Sequence, residues 1–329
     1  MKKYWKIGLA VALLLLITLN FRLCGAKNPQ EEPEEQLAQT EAVLQTEVTV
    51  QTQPTEETAE STRERIEEIP ETTSDAGSFG PVRMQKIQMG ELSFLEFSRA
   101  DMPMPIIFLQ HGLGGYKEEF IGGAEYLAEY GYRVILVDAY GHGEQAMDSF
   151  VNLPDIIEKS SQQYDRILAF YRGKYANQEP IFSIMGISLG GLTGLYHAAY
   201  GAEHPRCVCS LYATPEWDKF PGTYAVYAGV EKGGWSWAIE SQYEYIDEQF
   251  RRSNPIKNPD QLFSSHILMI NGDKDDIIPW VDYERLRYKA EDGITPEFIL
   301  REDQGHDMAS GDFDDSVTFL LEHMPPYNP

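Results

Sequence analysis

The sequence has few cysteines and few basic residues for its length, and each shortage excludes a class of protein. Three cysteines in 329 residues are too few for the disulfide framework of a small secreted domain. The chain has 27 lysine and arginine residues against 52 acidic residues, a formal net charge of −25. Binding to nucleic acid requires a basic surface that displaces counterions from phosphates. We therefore expect no nucleic-acid partner.

Two of the cysteines, Cys207 and Cys209, lie two residues apart in an apolar stretch. Strand geometry would point both side chains to the same face of a sheet. Neither cysteine belongs to a Cys-x-x-Cys pair of the kind that binds zinc. The pattern predicts two small, buried, apolar side chains and no metal site.

Aromatic residues are absent from residues 28–78, where Glu, Thr, Gln and Pro dominate. This segment has fourteen acidic residues and two basic ones. It cannot bury enough apolar surface to offset the entropy lost on folding, and its charges repel one another. We predict a disordered, extended stalk over residues 28–78.

Residues 1–27 contain five basic residues and no acidic one, and an apolar run of fifteen residues covers 7–21. The run is short for a bilayer span but typical of a signal peptide. Ala26, with Cys24 two residues before it, gives the small-x-small pattern of a signal-peptidase site. We predict an extracytoplasmic protein that is either secreted after cleavage or anchored to the cell membrane by the uncleaved segment.

The remaining residues, 79–329, alternate strand-like runs with helix-length segments, which is typical of an α/β fold with a mostly parallel central sheet flanked by helices. Residues 82–89 and 92–98, divided by Gly90 and Glu91, predict an opening hairpin. Six further apolar, β-branched segments predict the other strands. Helices are predicted at Lys117–Tyr130, Ser160–Tyr175, Leu189–Tyr200 and Trp280–Ala290.

The strongest motif of this domain is Gly186-Ile187-Ser188-Leu189-Gly190, directly after the apolar run Ile181–Met185 and before a predicted helix. A sharp strand-to-helix turn holds its serine in a strained conformation with an exposed hydroxyl. The flanking glycines are needed because side chains there would collide with the neighbouring strand and helix. The motif predicts that Ser188 is a nucleophile.

A nucleophilic serine needs a general base, and the base needs an acid that orients it. His306 lies in a glycine-containing loop after the last predicted strand, and Asp275 lies in the loop after the strand before it. Among the other histidines, His142 in the turn Tyr140–Glu144 is the alternative base. The N–H of Leu189, next to the nucleophile, is a candidate donor to an oxyanion.

Five motifs together resemble the α/β-hydrolase superfamily: HGLGG at 111–115, DAYGHG at 138–143, GISLGG at 186–191, GDKDDIIP at 272–279 and QGH at 304–306. The resemblance covers essentially all of 79–329. It is closest to small bacterial carboxylesterases and to serine peptidases of the prolyl-oligopeptidase and aminopeptidase branches.

The resemblance implies an α/β-hydrolase fold with a cap or lid insertion. It also implies Ser188 as nucleophile, His306 as base, Asp275 as acid, and the backbone N–H groups of Leu113 and Leu189 as oxyanion donors. Asp275 fits the family's acid loop better than its neighbours Asp273 and Asp276, because Gly272 precedes it and Ile278-Pro279 follows it. Of the two, Asp276 is the closer alternative.

Residues 214–263 interrupt the alternation of strands and helices, at the point where the superfamily inserts its cap. This segment is rich in aromatic residues, and Trp217, Trp235 and Trp237 are candidate substrate-binding residues of a lid. The alternative is that these rings only pack the cap onto the sheet.

The sequence therefore predicts a serine hydrolase that cleaves a small-molecule carboxylic ester through an acyl-enzyme and needs no cofactor. A serine peptidase with the same three residues is one alternative, and a cap glutamate such as Glu216, Glu240 or Glu244 would then bind the substrate's amino terminus. The other alternative is a catalytically silent surface-binding module, because a fold does not dictate a function.

Overall fold

Strands and helices alternate in the computed structural model, which describes residues 71–146, 151–176, 178–217, 226–228, 236–237, 243–278, 283–290 and 292–328. The strands are β1 (Glu71–Phe79), β2 (Val82–Met89), β3 (Leu92–Ser98), β4 (Ile106–Gln110), β5 (Arg133–Val137), β6 (Val151–Asn152), β7 (Phe182–Ile187), β8 (Cys207–Leu211), β9 (Val226–Ala228), β10 (Ser236–Trp237), β11 (His266–Gly272) and β12 (Glu297–Arg301). The α-helices are α1 (Ile121–Tyr130), α2 (Leu153–Lys174), α3 (Leu189–Tyr200), α4 (Tyr243–Arg252), α5 (Pro259–Leu262), α6 (Tyr283–Lys289) and α7 (Asp312–His323). Short 3-10 helices cover Lys117–Phe120, Gly143–Gln145 and Pro255–Lys257.

Within the described ranges, nine strands form one sheet in the order β1-β2-β3-β5-β4-β7-β8-β11-β12. Strands β1, β2 and β3 run antiparallel to their neighbours in this sheet. The other six strands, in the order β5-β4-β7-β8-β11-β12, pair in parallel. Strands β4, β5 and β8 are buried along their whole length, as expected for parallel strands covered on both faces. The predicted hairpin of β2 and β3 and the mostly parallel sheet are confirmed.

The two faces of the sheet pack against different helices. Helices α1 and α7 cover one face, and their apolar residues share a core with the side chains of β5 and β8 that point to that side. Helices α2, α3 and α6 contribute to a second core on the other face. Cys207 and Cys209 are fully buried in the first core, and burial raises the pKa of the Cys207 thiol to about 11. The prediction of buried apolar cysteines is confirmed.

Strand β1 corrects the predicted boundary between stalk and domain at residue 79. It pairs antiparallel with β2 from Glu71 opposite Met89 to Phe79 opposite Val82, across a turn in which Gly80 has a φ of 58°. Residues 72–76 of this strand are exposed, so backbone hydrogen bonds to β2 rather than apolar burial hold it. A prediction based on apolar content could not detect such a strand. The rest of the stalk and the predicted signal peptide, 1–27, lie outside the described residues.

The largest differences between predicted and described helix boundaries are at the starts of α1 and α2. Residues 117–130 form a 3-10 turn followed by α1 rather than one helix. Helix α2 begins at Leu153 instead of Ser160, because the Asn152 side chain caps it by accepting a hydrogen bond of 2.8 Å from the Asp155 N–H. The early start adds Leu153, Ile156 and Ile157 to the core that α2 shares with α3.

In the predicted cap, residues 214–263, the described elements are β9, β10, α4, α5 and the 3-10 helix Pro255–Lys257. None of these described elements joins the nine-stranded sheet, and β9 instead pairs with β6 and with β10. Helix α4 contacts α2 through a hydrogen bond of 3.1 Å from Gln249 Nε2 to Asp155 Oδ1. The function of this segment as a lid stays a prediction.

Candidate active site

Ser188 occupies a sharp turn between β7 and α3. Its φ of 52° is in the left-handed region, which a residue with a side chain adopts only where its surroundings hold it. One such contact is the hydrogen bond of 2.8 Å from its N–H to the Leu211 carbonyl at the end of β8. A Cβ at Gly186 would overlap the backbone of Gly190, and a Cβ at Gly190 would overlap the backbone of Gln110. The two glycines therefore allow the close approach that produces the turn.

Ser188, His306 and Asp275 lie in one line of hydrogen bonds. The Ser188 Oγ is 2.8 Å from His306 Nε2, and His306 Nδ1 is 2.7 Å from Asp275 Oδ2. Because an ionised carboxylate only accepts, Nδ1 is the nitrogen that carries the proton in neutral His306. Nε2 is then free to accept the serine proton. The structure thus brings together the three residues that the sequence singled out for acyl transfer.

Asp275 is held in place by its own loop. Its Oδ1 accepts hydrogen bonds of 3.0 and 2.8 Å from the backbone N–H groups of Ile277 and Ile278, which leaves Oδ2 for His306. The Asp275 side chain is fully buried, whereas Asp276, the alternative acid, is exposed. Of the neighbouring aspartates, Asp275 is the one that contacts the histidine.

The loops that carry the acid and the base contact each other directly. We name residues 273–278 the acid loop and residues 302–311 the base loop. The N–H of Asp273 donates to the Arg301 carbonyl at 3.0 Å, and the N–H of Lys274 donates to the Gln304 carbonyl at 2.9 Å. These bonds continue the pairing of β11 with β12 past the carboxyl ends of the strands. They fix the acid loop against the segment that carries His306.

The turn at residues 111–115 lies beside the serine. Strand β4 pairs with β7 so that Gln110 is opposite Gly186, and a Cβ at Gly112 would come within 3.7 Å of the Ser188 Cβ. Leu113 follows directly and packs against the core. Leu189 is the first residue of α3, where helical N–H groups have no partner within the helix. Both predicted oxyanion donors therefore belong to segments that adjoin Ser188.

His111, the first residue of this turn, links it by hydrogen bonds to the turn after β5. Its Nε2 accepts a hydrogen bond of 3.0 Å from the Ala139 N–H, so its Nδ1 carries the proton and donates to the Gly112 carbonyl at 2.7 Å. Burial lowers the pKa of His111 to about 4. The histidine is therefore neutral at ordinary pH, and it ties the turn after β4 to the turn after β5.

His142, the alternative base, is buried, and its Nδ1 lies 3.1 Å from the Tyr140 carbonyl in its own turn. Burial lowers its pKa. Among the described residues, no hydrogen bond joins it to Ser188. The geometry favours His306 as the base, and His142 instead contacts the backbone of its own turn after β5.

A buried ion pair that sequence reasoning missed lies next to this turn. The Lys117 Nζ is 2.7 Å from Asp138 Oδ2, and the Lys117 N–H donates to Asp138 Oδ1 at 2.8 Å. Both side chains are almost completely buried. The position of Asp138 directly after β5 could have marked it as a candidate functional residue. Nothing near Lys117 in the sequence indicated that its side chain would be buried in an ion pair with Asp138.

Trp217 is packed inside the protein, which favours the second of the two interpretations that the sequence allowed for it. It is 1% exposed, its indole N–H donates to the Thr214 carbonyl at 3.1 Å, and its ring stacks on Tyr196 and meets the edge of Phe250. The alternative of packing therefore describes this residue. Trp235 lies outside the described residues, and of Trp237 only the place in β10 is described.

Comparison with known sequences gives two partial matches. Residues 105–227 match the family model described as the alpha/beta hydrolase fold. Over 100 residues the chain is 30% identical to the 2-succinyl-6-hydroxy-2,4-cyclohexadiene-1-carboxylate synthase of Yersinia pseudotuberculosis serotype O:1b (strain IP 31758). That match covers 30% of this chain and 32% of the enzyme, so the chain spans about a third of the length of this curated relative.

Solved structures match a larger share of the chain. TT1662 from Thermus thermophilus is 18% identical, with a TM-score of 0.55, over 74% of this chain and 98% of that one. An acetyl xylan esterase from Paenibacillus sp. R4 is 14% identical, with a TM-score of 0.55, over 81% of this chain and 92% of that one. The chain has the α/β-hydrolase fold, and its resemblance to the α/β-hydrolase superfamily is confirmed.

Two features are absent from the part of the chain that the structure describes. No helix there combines the length and the apolar character that crossing a membrane would require. In the same part of the chain, no three His, Cys, Asp or Glu side chains are grouped so that they could hold a metal ion.

Proposed function

We propose that the protein is an exported serine hydrolase that cleaves carboxylic esters through an acyl-enzyme. The observation that carries the proposal is the line of hydrogen bonds from Ser188 Oγ to His306 Nε2 at 2.8 Å and from His306 Nδ1 to Asp275 Oδ2 at 2.7 Å. A serine hydroxyl is a weak nucleophile at its free pKa, and this arrangement activates it. Its location at a strained strand-to-helix turn supports the same function.

In the proposed acylation, Ser188 Oγ attacks the ester carbonyl carbon while His306 Nε2 takes the hydroxyl proton. The carbonyl oxygen becomes an oxyanion, which the N–H groups of Leu113 and Leu189 stabilise; each donor contributes about 10²–10³ in rate. Collapse of the intermediate breaks the bond to the alcohol oxygen, and His306 gives its proton to that oxygen. Asp275 stabilises the imidazolium that forms between the two transfers.

In deacylation, a water molecule takes the place of the alcohol. His306 removes a proton from the water as it attacks the acyl carbon, and the second oxyanion uses the same two N–H groups. When this intermediate collapses, the proton returns to Ser188 Oγ and the carboxylic acid leaves. The proposed cycle uses the Ser188, His306 and Asp275 side chains and two backbone donors.

The charges around the serine favour a neutral substrate. Beside one exposed basic side chain, Lys274, the acid and base loops expose four acidic side chains, which would repel an anionic ester in this strongly acidic chain. They are Asp276, Glu302, Asp303 and Asp307. Short neutral esters are the first substrates to test, because a solved structure with the same fold is named an acetyl xylan esterase.

The alternative of a serine peptidase needs a carboxylate that binds the substrate's amino terminus. Glu216, one candidate for that role, is fully buried, and its Oε1 lies 2.9 Å from an Arg285 guanidinium nitrogen. Because Arg285 already pairs with this carboxylate, Glu216 is poorly placed to bind a substrate's amino terminus. The geometry of Glu216 therefore favours the ester hydrolase over the peptidase. Glu240 lies outside the described residues, and of Glu244 only its place in α4 is described.

We further propose that residues 1–27 export the chain and that residues after them form a stalk. The basic start, the apolar run and the acidic segment without aromatic residues support this proposal. Fractionation of cells that express the full chain should recover it outside the cytoplasm. Sequencing of the mature amino terminus distinguishes cleavage after Ala26 from retention of the segment as an anchor, and recovery in the cytoplasm contradicts export.

The decisive experiment compares the full-length wild type with Ser188→Ala and with the control Ser310→Ala. Ser310 is an exposed serine in the base loop and has no role in the proposed mechanism. Each protein is treated with a fluorophosphonate and assayed on para-nitrophenyl esters of increasing acyl length and on dipeptide anilides. Wild type and Ser310→Ala should be labelled and should hydrolyse the esters, and Ser188→Ala should do neither while keeping its circular dichroism spectrum.

The other outcomes separate the alternatives. Cleavage of the anilides in preference to the esters would favour the peptidase. Absence of labelling in a folded wild type would contradict the serine hydrolase and favour the catalytically silent binding module. Labelling of Ser188→Ala at the wild-type rate would show that another residue is the nucleophile.

A further inference from the structure

Tyr212 has an unusual backbone conformation next to the proposed active site. It follows β8 directly, and its φ of 51° lies in the left-handed region, where a bulky side chain is rare. Its N–H donates to the Ile270 carbonyl on β11 at 2.7 Å, and the carbonyl of Leu211 before it accepts the Ser188 N–H at 2.8 Å. Backbone strain of this kind is common at functional sites. Tyr212 therefore lies between the strand that precedes the serine and the strand that precedes the acid.

The Tyr212 side chain contacts the base loop at two points. Its hydroxyl donates to Asp312 Oδ2 at 2.7 Å and accepts a hydrogen bond of 3.1 Å from the N–H of Ala309. Ala309 is three residues after His306, and its N–H also donates to Asp312 Oδ2 at 2.6 Å. The Tyr212 ring stands edge to face against the His306 ring, with 6.1 Å between the centroids.

Asp312 joins the two ends of the base loop. It is fully buried at the start of α7, and its Oδ1 accepts a hydrogen bond of 2.7 Å from Arg301 Nε at the end of β12. Arg301 also pairs with Asp315. The ion pair between Arg301 and Asp312 joins the two ends of the base loop. The Tyr212 hydroxyl holds the part of the loop between His306 and α7 through the Ala309 N–H.

The Tyr212 hydroxyl is the donor in its hydrogen bond to Asp312. Burial raises its pKa, and the hydrogen bond to the Asp312 carboxylate raises it further. Loss of this proton would leave two anionic oxygens in contact in a buried place. The raised pKa therefore favours the neutral hydroxyl as the donor in this contact.

We propose that Tyr212 is a positioning residue that acts through His306, holding the imidazole where it reaches Ser188 Oγ and Asp275 Oδ2 together. The proposal rests on the proposed function, in which His306 moves the serine proton. The hydroxyl fixes the loop that carries the imidazole, and the ring limits its tilt. Catalytic groups that are displaced by about 1 Å can lose on the order of a hundredfold in rate.

The test compares Tyr212→Phe with Tyr132→Phe. Tyr132 is a matched control: it is also a fully buried tyrosine, and its hydroxyl donates at 2.6 Å to the Met324 carbonyl just beyond the other end of α7. Arg301→Gln is a second test variant at a site that is 25% exposed, so it is expected to fold if Tyr212→Phe does not. Each full-length protein is measured for kcat and KM on para-nitrophenyl acetate and for its thermal midpoint. The low-field NMR signal of the His306 Nδ1 proton, assigned by its loss in His306→Gln, is recorded for each.

We expect Tyr212→Phe to lower kcat by about ten- to a hundredfold with little change in KM, because the imidazole rather than the substrate is displaced. Its low-field signal should broaden or disappear, and Arg301→Gln should change in the same direction. Tyr132→Phe should lower the thermal midpoint and leave kcat and the signal unchanged. An intact signal and wild-type kcat in both test variants, or an equal loss of kcat in Tyr132→Phe, would overturn the proposal.

The NMR signal needs no turnover, so it separates the two proposals. A wild type that shows the signal but hydrolyses no ester contradicts the proposed function, and the positioning by Tyr212 is then still judged by the signal. A wild type that hydrolyses the ester while Tyr212→Phe keeps both its kcat and its signal contradicts the positioning alone.

Discussion

Gly272, the last residue of β11, lies so close to the base loop that a Cβ at this position would overlap the carbonyl oxygen of Gln304 and come within 2.6 Å of that of Gly305. The same Gln304 carbonyl accepts the N–H of Lys274 at 2.9 Å. The backbone that follows the acid's strand and the backbone that precedes His306 are therefore in direct contact. The distance between Asp275 and His306 depends on a residue without a side chain at position 272.

Gly272→Ala is expected to lower both stability and activity. The methyl group can be accommodated only if the base loop moves away from β11, and overpacking of this kind costs about 1–3 kcal/mol. The movement would also lengthen the contact between His306 Nδ1 and Asp275 Oδ2. The thermal midpoint and the rate of fluorophosphonate labelling measure the two effects.

Gly173→Ala is the control for this change, because a Cβ at Gly173 meets nothing within 4 Å. In an exposed position of α2, alanine should be neutral or slightly stabilising. A Gly272→Ala protein that labels as fast as Gly173→Ala would contradict the dependence of the site on this contact.

Asp275→Asn is expected to lower kcat by up to about 10⁴-fold while the protein stays folded. Asparagine can keep the hydrogen bonds from the Ile277 and Ile278 N–H groups through its oxygen. Its NH₂ group would then face His306 Nδ1, which favours the tautomer with the proton on Nε2. In that tautomer His306 cannot accept the proton of Ser188. Steady-state kinetics on para-nitrophenyl acetate measures the loss.

Asp276→Asn is the matched control, because Asp276 is the adjacent residue and is exposed. It should change kcat little, since it removes a charge and no contact of the imidazole. A larger loss of kcat in Asp276→Asn than in Asp275→Asn would transfer the role of the acid to Asp276.

The sequence predicted the residues that local geometry determines. Ser188 was predictable because glycine on both sides of a serine, between an apolar run and a helix, specifies one kind of turn. Asp275 and His306 were predictable because they follow the last two strands of a parallel sheet, where functional side chains collect at the carboxyl edge. The hairpin of β2 and β3 follows from Gly90 and Glu91 between two strand-like runs.

What the sequence did not predict depends on contacts between distant segments. Tyr212 and Asp312 are 100 residues apart, and no local pattern indicates that they share a hydrogen bond. The burial of Trp217 depends on Tyr196 of α3 and Phe250 of α4, so composition alone left open whether this ring binds a substrate or packs the cap. Strand β1 exists through pairing with β2 and not through its own apolar content.

The pH dependence of stability should include a contribution from His111. Burial lowers the pKa of His111 from 6.5 to about 4, so between these two values the unfolded chain binds a proton that the folded chain does not. Stability contributed by the neutral side chain is therefore present above pH 6.5 and lost as the pH falls toward about 4. A shift of this size corresponds to about 3 kcal/mol over the whole interval.

Replacement of His111 by glutamine should flatten this part of the profile. Glutamine has an acceptor and a donor that can serve the Ala139 N–H and the Gly112 carbonyl, but it does not titrate. Urea unfolding at a series of pH values between about 4 and 6.5 should give a smaller slope of the free energy of unfolding for His111→Gln than for wild type. His204→Gln, which changes an exposed histidine, should keep the wild-type slope. Equal slopes in wild type and His111→Gln would contradict the assignment, because the acid-sensitive group would then lie elsewhere in the fold.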